Sequence, residues 1–207
     1  PNGISTPAIY PIYNADGTYN QAGPYSNAVS IANEAINQNF TFRTIANTYI
    51  NYEILPNLTF SSKWGIDFLN FREHAYESTK TVQGAKYNGL GFETYTNVMN
   101  IVSNNILNYQ KTFNKHNFES LLGYSFESNQ TRSSFIRGQD YADESLEYIN
   151  SAATIVSASS DGSDAGVRSF FGRLNYDFDK KYIFSLTGRF DASSRFGENN
   201  RNGFFPA

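Results

Sequence analysis

The sequence predicts an all-β fold in which antiparallel up-and-down strands form part of a large transmembrane β-barrel. Three observations carry this expectation. Apolar and polar residues alternate with period two through about six stretches, the connections between those stretches alternate between short and long, and aromatic residues collect beside the short ones.

Composition points the same way. A hydrophobic fraction of 40% and a mean hydropathy of -0.49 are low for a buried soluble core. Yet 18 Phe and 15 Tyr are too many for a disordered chain. A wall with one apolar face, one wet face and aromatic margins reconciles the two. The net charge of -3, with no Lys/Arg-rich run, gives no footprint for nucleic acid and no basic membrane-surface patch. The absence of Cys excludes disulfides and thiol chemistry. No apolar run approaches the roughly 20 residues of a membrane helix. The chain opens on Pro1-Asn2-Gly3 with neither initiator Met nor signal peptide, and it stops where Phe204 and Phe205 begin a new segment. It is therefore expected to be an internal fragment.

Residues 1–37, rich in Pro, Gly, Asn, Ser and Tyr, are expected to be a loop region leading into the barrel, with at most a short helix near Asn27–Ile36. The barrel segment is expected over 38–207. Its first strand sets Phe40, Phe42, Ala46, Ile50, Tyr52 and Ile54 against Asn39, Arg43, Asn47, Asn51 and Glu53, with Ile45 and Tyr49 as exceptions. After Leu55-Pro56-Asn57, a second sets Leu58, Phe60, Trp64, Ile66 and Phe68 against Thr59, Ser61, Lys63 and Asp67. The third, about 94–113, carries Tyr95, Met99, Ile101, Leu107, Tyr109 and Phe113 on one face, interrupted by Asn97, Ser103 and Asn105. Beyond Asn114-Lys115, Phe118, Leu122, Tyr124 and Phe126 alternate with Asn117, Glu119 and Ser125. A fifth strand near 167–178 sets Phe170, Leu174, Tyr176 and Phe178 against Ser169, Arg173, Asn175 and Asp177. After Asp179-Lys180-Lys181, the sixth sets Tyr182, Phe184, Leu186 and Phe190 against Ser185, Thr187, Arg189 and Asp191.

Short connections fall near 55–57, 114–115 and 179–181, and long outer ones near 72–93, 138–166 and 193–203. Up-and-down membrane barrels have this asymmetry, with tight periplasmic turns and extended outer loops. Tyr52, Phe60, Tyr109, Phe113, Phe118, Tyr176, Phe178, Tyr182 and Phe184 flank the short turns on the apolar faces, and are expected to be lipid-interface aromatics. The polar partners Arg43, Lys63, Asp67, Glu119, Arg173, Asp177, Arg189 and Asp191 are expected to face the lumen. Six strands cannot close a barrel, and open edges in lipid leave backbone groups unpaired, so further strands must come from outside this stretch.

The region from about 167 also resembles a family signature. Phe171-Gly172-Arg173-Leu174-Asn175-Tyr176, Lys181-Tyr182-Ile183-Phe184, Arg189-Phe190-Asp191-Ala192-Ser193-Ser194-Arg195-Phe196-Gly197 and Gly203-Phe204-Phe205-Pro206 are similar to motifs of SusC/RagA-type, TonB-dependent outer-membrane transporters. Arg189, Asp191, Ser193, Ser194, Arg195, Phe196 and Gly197 match the family's loop entrance, with Ala192 where the family usually has Gly, so that the bend there is expected to be tighter or altered. Looser matches are Tyr10-Pro11, Asp16-Gly17-Thr18-Tyr19 and Tyr52 to Phe60. The resemblance implies a 22-stranded barrel in the bacterial outer membrane, plugged by a domain not in this stretch. It implies import of oligosaccharides or peptides, a SusD-like surface lipoprotein as lid, and TonB acting through a region outside these residues. A soluble or surface-exposed β-rich binding or adhesion module and a passive porin are the rival readings.

No enzyme, cofactor or metal site is expected. His74, in a long loop, and His116, beside a short turn, are expected at opposite ends of the wall, and no Ser has a plausible His partner for nucleophilic catalysis. Asp161-Gly162-Ser163-Asp164 lacks the ligand spacing and closing Glu of a calcium loop, and is read as a solvated loop. Arg189, Asp191 and Arg195 are expected to form a structural cluster. Tyr76, Tyr87, Phe92, Tyr141 and Tyr148 lie in the outer loops, where they suit stacking on sugar faces, packing against a lid, or packing within the loops themselves.

Overall fold

The computed structural model describes residues 10–22, 26–197 and 201–207. Seven strands are found among them: β1 (Ala35–Leu55), β2 (Leu58–Glu77), β3 (Leu90–Phe113), β4 (His116–Tyr141), β5 (Ala152–Phe178), β6 (Tyr182–Ser193) and β7 (Asn202–Pro206). They form a single sheet in chain order, β1 to β7.

The short turns fall where the sequence puts them. Asn57, Asn114, Asp179 and Lys180 take positive φ values of 73°, 50°, 55° and 55°. Asn and Asp tolerate this left-handed backbone, which tight hairpin turns demand. The strands, however, outrun their expected bounds. Residues 72–77 belong to β2 and 90–93 to β3, which leaves a connection of 78–89. Likewise β4 reaches Tyr141 and β5 starts at Ala152, so the next connection is 142–151, and Asp161-Gly162-Ser163-Asp164 lies within β5 and not in a loop. The third long connection is 194–201, of which 198–200 lie outside the described residues, as do 1–9 and 23–25 of the expected N-terminal loop. The added strand is β7. In β5 the expected loop was too long because residues 157–164 are polar and exposed on both faces, and a strand wet on both sides has no alternation to read.

The chain packs as two units. The first comprises Pro1–Phe42, Asn70–Thr96 and Arg132–Asp161. Its core is largely aromatic: Tyr76 and Tyr141 meet edge to face at 5.0 Å, and both, like Leu90, are nearly fully buried. Gly89, at φ 86°, and Gly91 leave room for the Tyr141 ring, which an added Cβ at either would contact. Two helices, α1 (Ala28–Glu34) and α2 (Val82–Tyr87), complete this unit. Asn27 caps α1 by accepting from the amides of Val29 and Ser30 at 3.0 and 3.2 Å, and Thr81 caps α2 by accepting from the Gly84 amide at 3.0 Å. The expected short helix near 27–36 is thus α1, ended where β1 begins.

A charged clamp ties these pieces together. Lys80 Nζ lies 3.1 Å from both Glu34 and Glu144, Thr79 and Ser78 donate to Glu144, and Gln21 donates to the Lys80 carbonyl at 2.8 Å. The Thr79 hydroxyl above all, with Lys80 and Ser78 against a desolvation cost, holds the Glu144 carboxyl below its ordinary value of 4.5. Hydrogen bonds to Glu34 and Glu144 raise Lys80 above 10.5. The depressed acid stabilises the clamp above 4.5 and loses that contribution as pH falls through its folded pKa. The raised base stabilises it below 10.5 and loses it as pH rises through its own. Hydrogen-exchange protection of 78–89 in the full-length protein is therefore expected to be level between about pH 5 and pH 10 and to drop on either side. Glu144→Gln should lower the plateau and flatten the acid limb, and an unchanged acid limb would remove Glu144 from the clamp.

The second unit comprises Arg43–Leu69, Asn97–Thr131 and Gly162–Ala207. It holds the short turns and the sequence signature. β5 and β6 pair with Gly172 opposite Gly188, Leu174 opposite Leu186, Tyr176 opposite Phe184 and Phe178 opposite Tyr182. Phe190 and Phe204 pair across β6 and β7. Its apolar side chains are not turned against a second layer: Trp64, Phe170 and Phe184 remain 48%, 58% and 56% exposed.

Candidate functional site

In the second unit, the side chains expected to line a lumen pair on one face of the sheet. Arg43 on β1 donates two hydrogen bonds to Asp67 on β2, at 2.9 and 2.7 Å. Arg173 on β5 lies 3.5 Å from Glu119 on β4, which also accepts from Asn175 at 3.3 Å. Asp177 accepts from Asn117 at 2.8 Å, and Arg189 grips Asp191 at 2.7 and 2.9 Å while donating to Ser169 at 3.0 Å. Lys63 lies exposed on β2. Strand periodicity explains the juxtaposition, since residues directly opposite, or two apart, share a face. Half-exposed pairs of this kind contribute at most about 1 kcal/mol each. Their work is to fix register and to present a mixed-charge surface.

This face ends at the loop entrance. Ala192 sits in the regular ladder, opposite Arg168 on one side and Asn202 on the other, without positive φ. The departure from Gly therefore leaves the strand unbent, contrary to the expected distortion. Ser194 closes the loop by accepting from the Gly166 amide at 2.8 Å and donating its own amide to the Gly166 carbonyl at 2.9 Å. Arg201 donates from Nε to the Phe196 carbonyl at 3.3 Å. A pocket of about 590 Å³ opens here, lined by Glu127, Asp191, Arg195, Arg201, Phe196 and Phe205 among others. Both charge signs and two aromatic walls suit it to a polar solute. Arg189 and Asp191 form the expected pair, while Arg195 points to this pocket instead of completing a triad.

The opposite face is apolar and aromatic. Tyr52, Phe113, Tyr182 and Phe184 are exposed, and Tyr109 and Phe118 pack edge to face at 6.2 Å. His116, which sequence reasoning left aside, joins this row. It stacks on Phe113 at 4.9 Å, touches Phe178 at 4.9 Å and shares a 2.8 Å hydrogen bond with the Tyr176 hydroxyl. Its spacing of two from Phe118 was the available signal. The polar interruption of β3 is also resolved: Asn105 accepts from Ser62 at 2.7 Å and donates to Ser103 at 2.9 Å, and the Trp64 indole donates to Ser62 at 2.9 Å. His74 lies in the first unit, on β2 and not in a loop, against Glu93 at 2.6 Å and stacked on Tyr148 at 5.0 Å. The two histidines share no site, and among the described residues no three His, Asp or Glu side chains gather as metal ligands.

A one-layer antiparallel meander, polar on one face and aromatic on the other, with tight turns alternating with long connections, is a segment of a transmembrane β-barrel wall. No family model matches the chain. It is 34% identical over 201 residues to TonB-dependent receptor P3 of Formosa agariphila, covering 95% of the chain and 20% of that receptor. It is 26% identical over 182 residues to TonB-dependent receptor SusC of Bacteroides thetaiotaomicron, covering 87% of the chain and 17% of that receptor. Its fold superimposes on the RagAB peptide transporter with a TM-score of 0.78 at 20% identity, covering 99% of this chain and 24% of that one. The chain thus spans about a fifth of the length of the curated relatives it matches. It belongs to the SusC/RagA type of TonB-dependent receptors of the bacterial outer membrane, as a piece of their barrel. This is a transport family, not an enzyme family, and membership displaces the soluble-module and passive-porin readings.

Proposed function

We propose that these residues form part of the wall of an energy-coupled importer that takes up glycans or peptides beneath a SusD-like lipoprotein lid, with TonB acting on a part of the protein outside this stretch. The observation that carries the reading is the two-faced sheet of the second unit. In it the paired charges Arg43 with Asp67, Glu119 with Arg173, and Arg189 with Asp191 line the lumen beside Lys63 and Asp177, and the loop-entrance pocket meets cargo in transit. The aromatic row from Tyr52 to Phe184 rests at the periplasmic lipid boundary, where amphipathic rings are favoured. The long connections 78–89 and 142–151 face outward, with the described part of 194–201, and the described residues before β1 lead into the barrel. The names of similar proteins support the cargo class, one being a peptide transporter.

Single cysteines introduced into the full-length receptor in whole membranes test the orientation. Leu186→Cys is expected to resist a water-soluble maleimide while Arg173→Cys reacts; the reverse pattern would overturn the assignment of faces. Growth of a deletion strain on peptides or oligosaccharides as sole nutrient, with and without functional TonB, tests the import reading. Uptake independent of TonB would overturn it.

A further inference from the structure

We propose that the apolar face of the second unit carries a specific lipid site, in which a notch floored by Gly172 and Gly188 seats an acyl chain and Arg168 holds the phosphate of the same outer-leaflet lipid. The inference rests on the orientation proposed above. Gly172 and Gly188 face each other directly across β5 and β6. Among the described glycines only Gly17 and Gly89 have positive φ, so the backbone does not require glycine at 172 or 188. What the pair creates is space. A groove of about 750 Å³ lies over them, walled by Leu122, Phe170, Leu186, Phe190 and Phe204, of which Leu122, Phe170 and Phe204 are 65%, 58% and 66% exposed. That volume is in the roughly 300–1,000 Å³ range of small-molecule sites, and an apolar lining of this kind suits a hydrocarbon chain.

Arg168 supplies the second observation and identifies the occupant. It is exposed and stands on the same face as Phe170 and Gly172, opposite the small Ala192. Ten residues separate it from Phe178, whose pairing with Tyr182 marks the aromatic row. Ten strand residues at the tilt of a membrane barrel rise about 25 Å, the height of its apolar band. A charge at mid-bilayer is costly, whereas at the far boundary a guanidinium meets lipid phosphate in a strong, two-pronged contact. Arg168 stands at that boundary, about 13 Å along the strand from the glycine floor. Tail site and head site are therefore spaced as in one phosphorylated amphiphile.

Native mass spectrometry of the full-length receptor in detergent tests this, with dioleoyl phosphatidic acid as probe and dioleoylglycerol, which has the same tails and no phosphate, as comparison. The receptor is expected to bind one phosphatidic acid about tenfold more tightly than the diglyceride, as one charge-assisted contact would give. Arg168→Gln should abolish that preference. Gly172→Leu should weaken both lipids, its first side-chain atom already lying 3.3 Å from Leu122. The exposed Arg168 carries the test alone if the glycine variant fails to fold. Equal binding of the two lipids by the wild type, or an undiminished preference in Arg168→Gln, would overturn the site. Should Leu186→Cys be shielded from maleimide and yet lipid preference be absent, the orientation stands and only the lipid site falls; a reactive Leu186→Cys removes both.

Discussion

Tyr141→Ala is expected to cost about 3 to 5 kcal/mol, the range for deleting a large buried ring, and to release the first unit without dissolving the second. The ring is among the few almost fully buried apolar side chains, at 4% exposure, and its partner Tyr76 is at 2%. Truncation removes the edge-to-face contact and opens a void beside Gly89, Gly91 and Tyr76. The expected result in the full-length receptor is loss of hydrogen-exchange protection over 70–96 and 132–161, with the hairpin turns of the second unit still protected. Tyr141→Phe, which keeps the ring, should shift stability by less than about 1 kcal/mol. Protection in Tyr141→Ala equal to wild type would show that the aromatic pair does not hold this unit.

Gly84→Ala is expected to break the 78–89 connection. An added methyl would run into the carbonyl oxygens of Ser78 and Glu77, which are backbone and have no rotamer to yield. Overpacking costs typically about 1–3 kcal/mol, and displacing the Gly84 amide from Thr81 forfeits the cap, worth about 1 kcal/mol more. Lys80 precedes this helix and Lys86 lies in its last turn, so trypsin should cut the variant here many times faster than wild type. Gly197→Ala, whose methyl would meet nothing within 4 Å, should leave the digestion pattern unchanged. Wild-type resistance in Gly84→Ala would mean that the connection relaxes around the methyl at little cost.

How much of this was legible depended on whether a strand separates two solvents. From Phe170 to Phe190 the two faces differ, and the alternation read from sequence matches the observed register. The Arg43 and Asp67 contact follows from parity alone once the turn at Asn57 is fixed. Around Ser157 to Asp164 both faces of β5 are polar and exposed, so no period marks the strand, and it read as a loop. His74 and Glu93 lie on β2 and β3, beyond the strand bounds expected from sequence, and the ring that stacks on His74, Tyr148, comes from the 142–151 connection, which no period announces. The short helix near 27–36 was legible because helix signals are local, while the capping role of Asn27 emerged only in the structure. The 590 Å³ pocket was not, since it joins residues from Glu127 to Phe205 through three strand pairings.

β4 contains 26 residues and β5 contains 27, where crossing a bilayer takes about 9–11. Strands with so much to spare cannot report their own depth, because any ten-residue stretch would span the hydrocarbon equally well. Vertical position must be written in side-chain chemistry. On the proposed orientation, the rings around His116 and Tyr182 would serve as a waterline, and replacing several of them with small polar residues would let the wall ride higher or lower in the membrane while every backbone hydrogen bond survived.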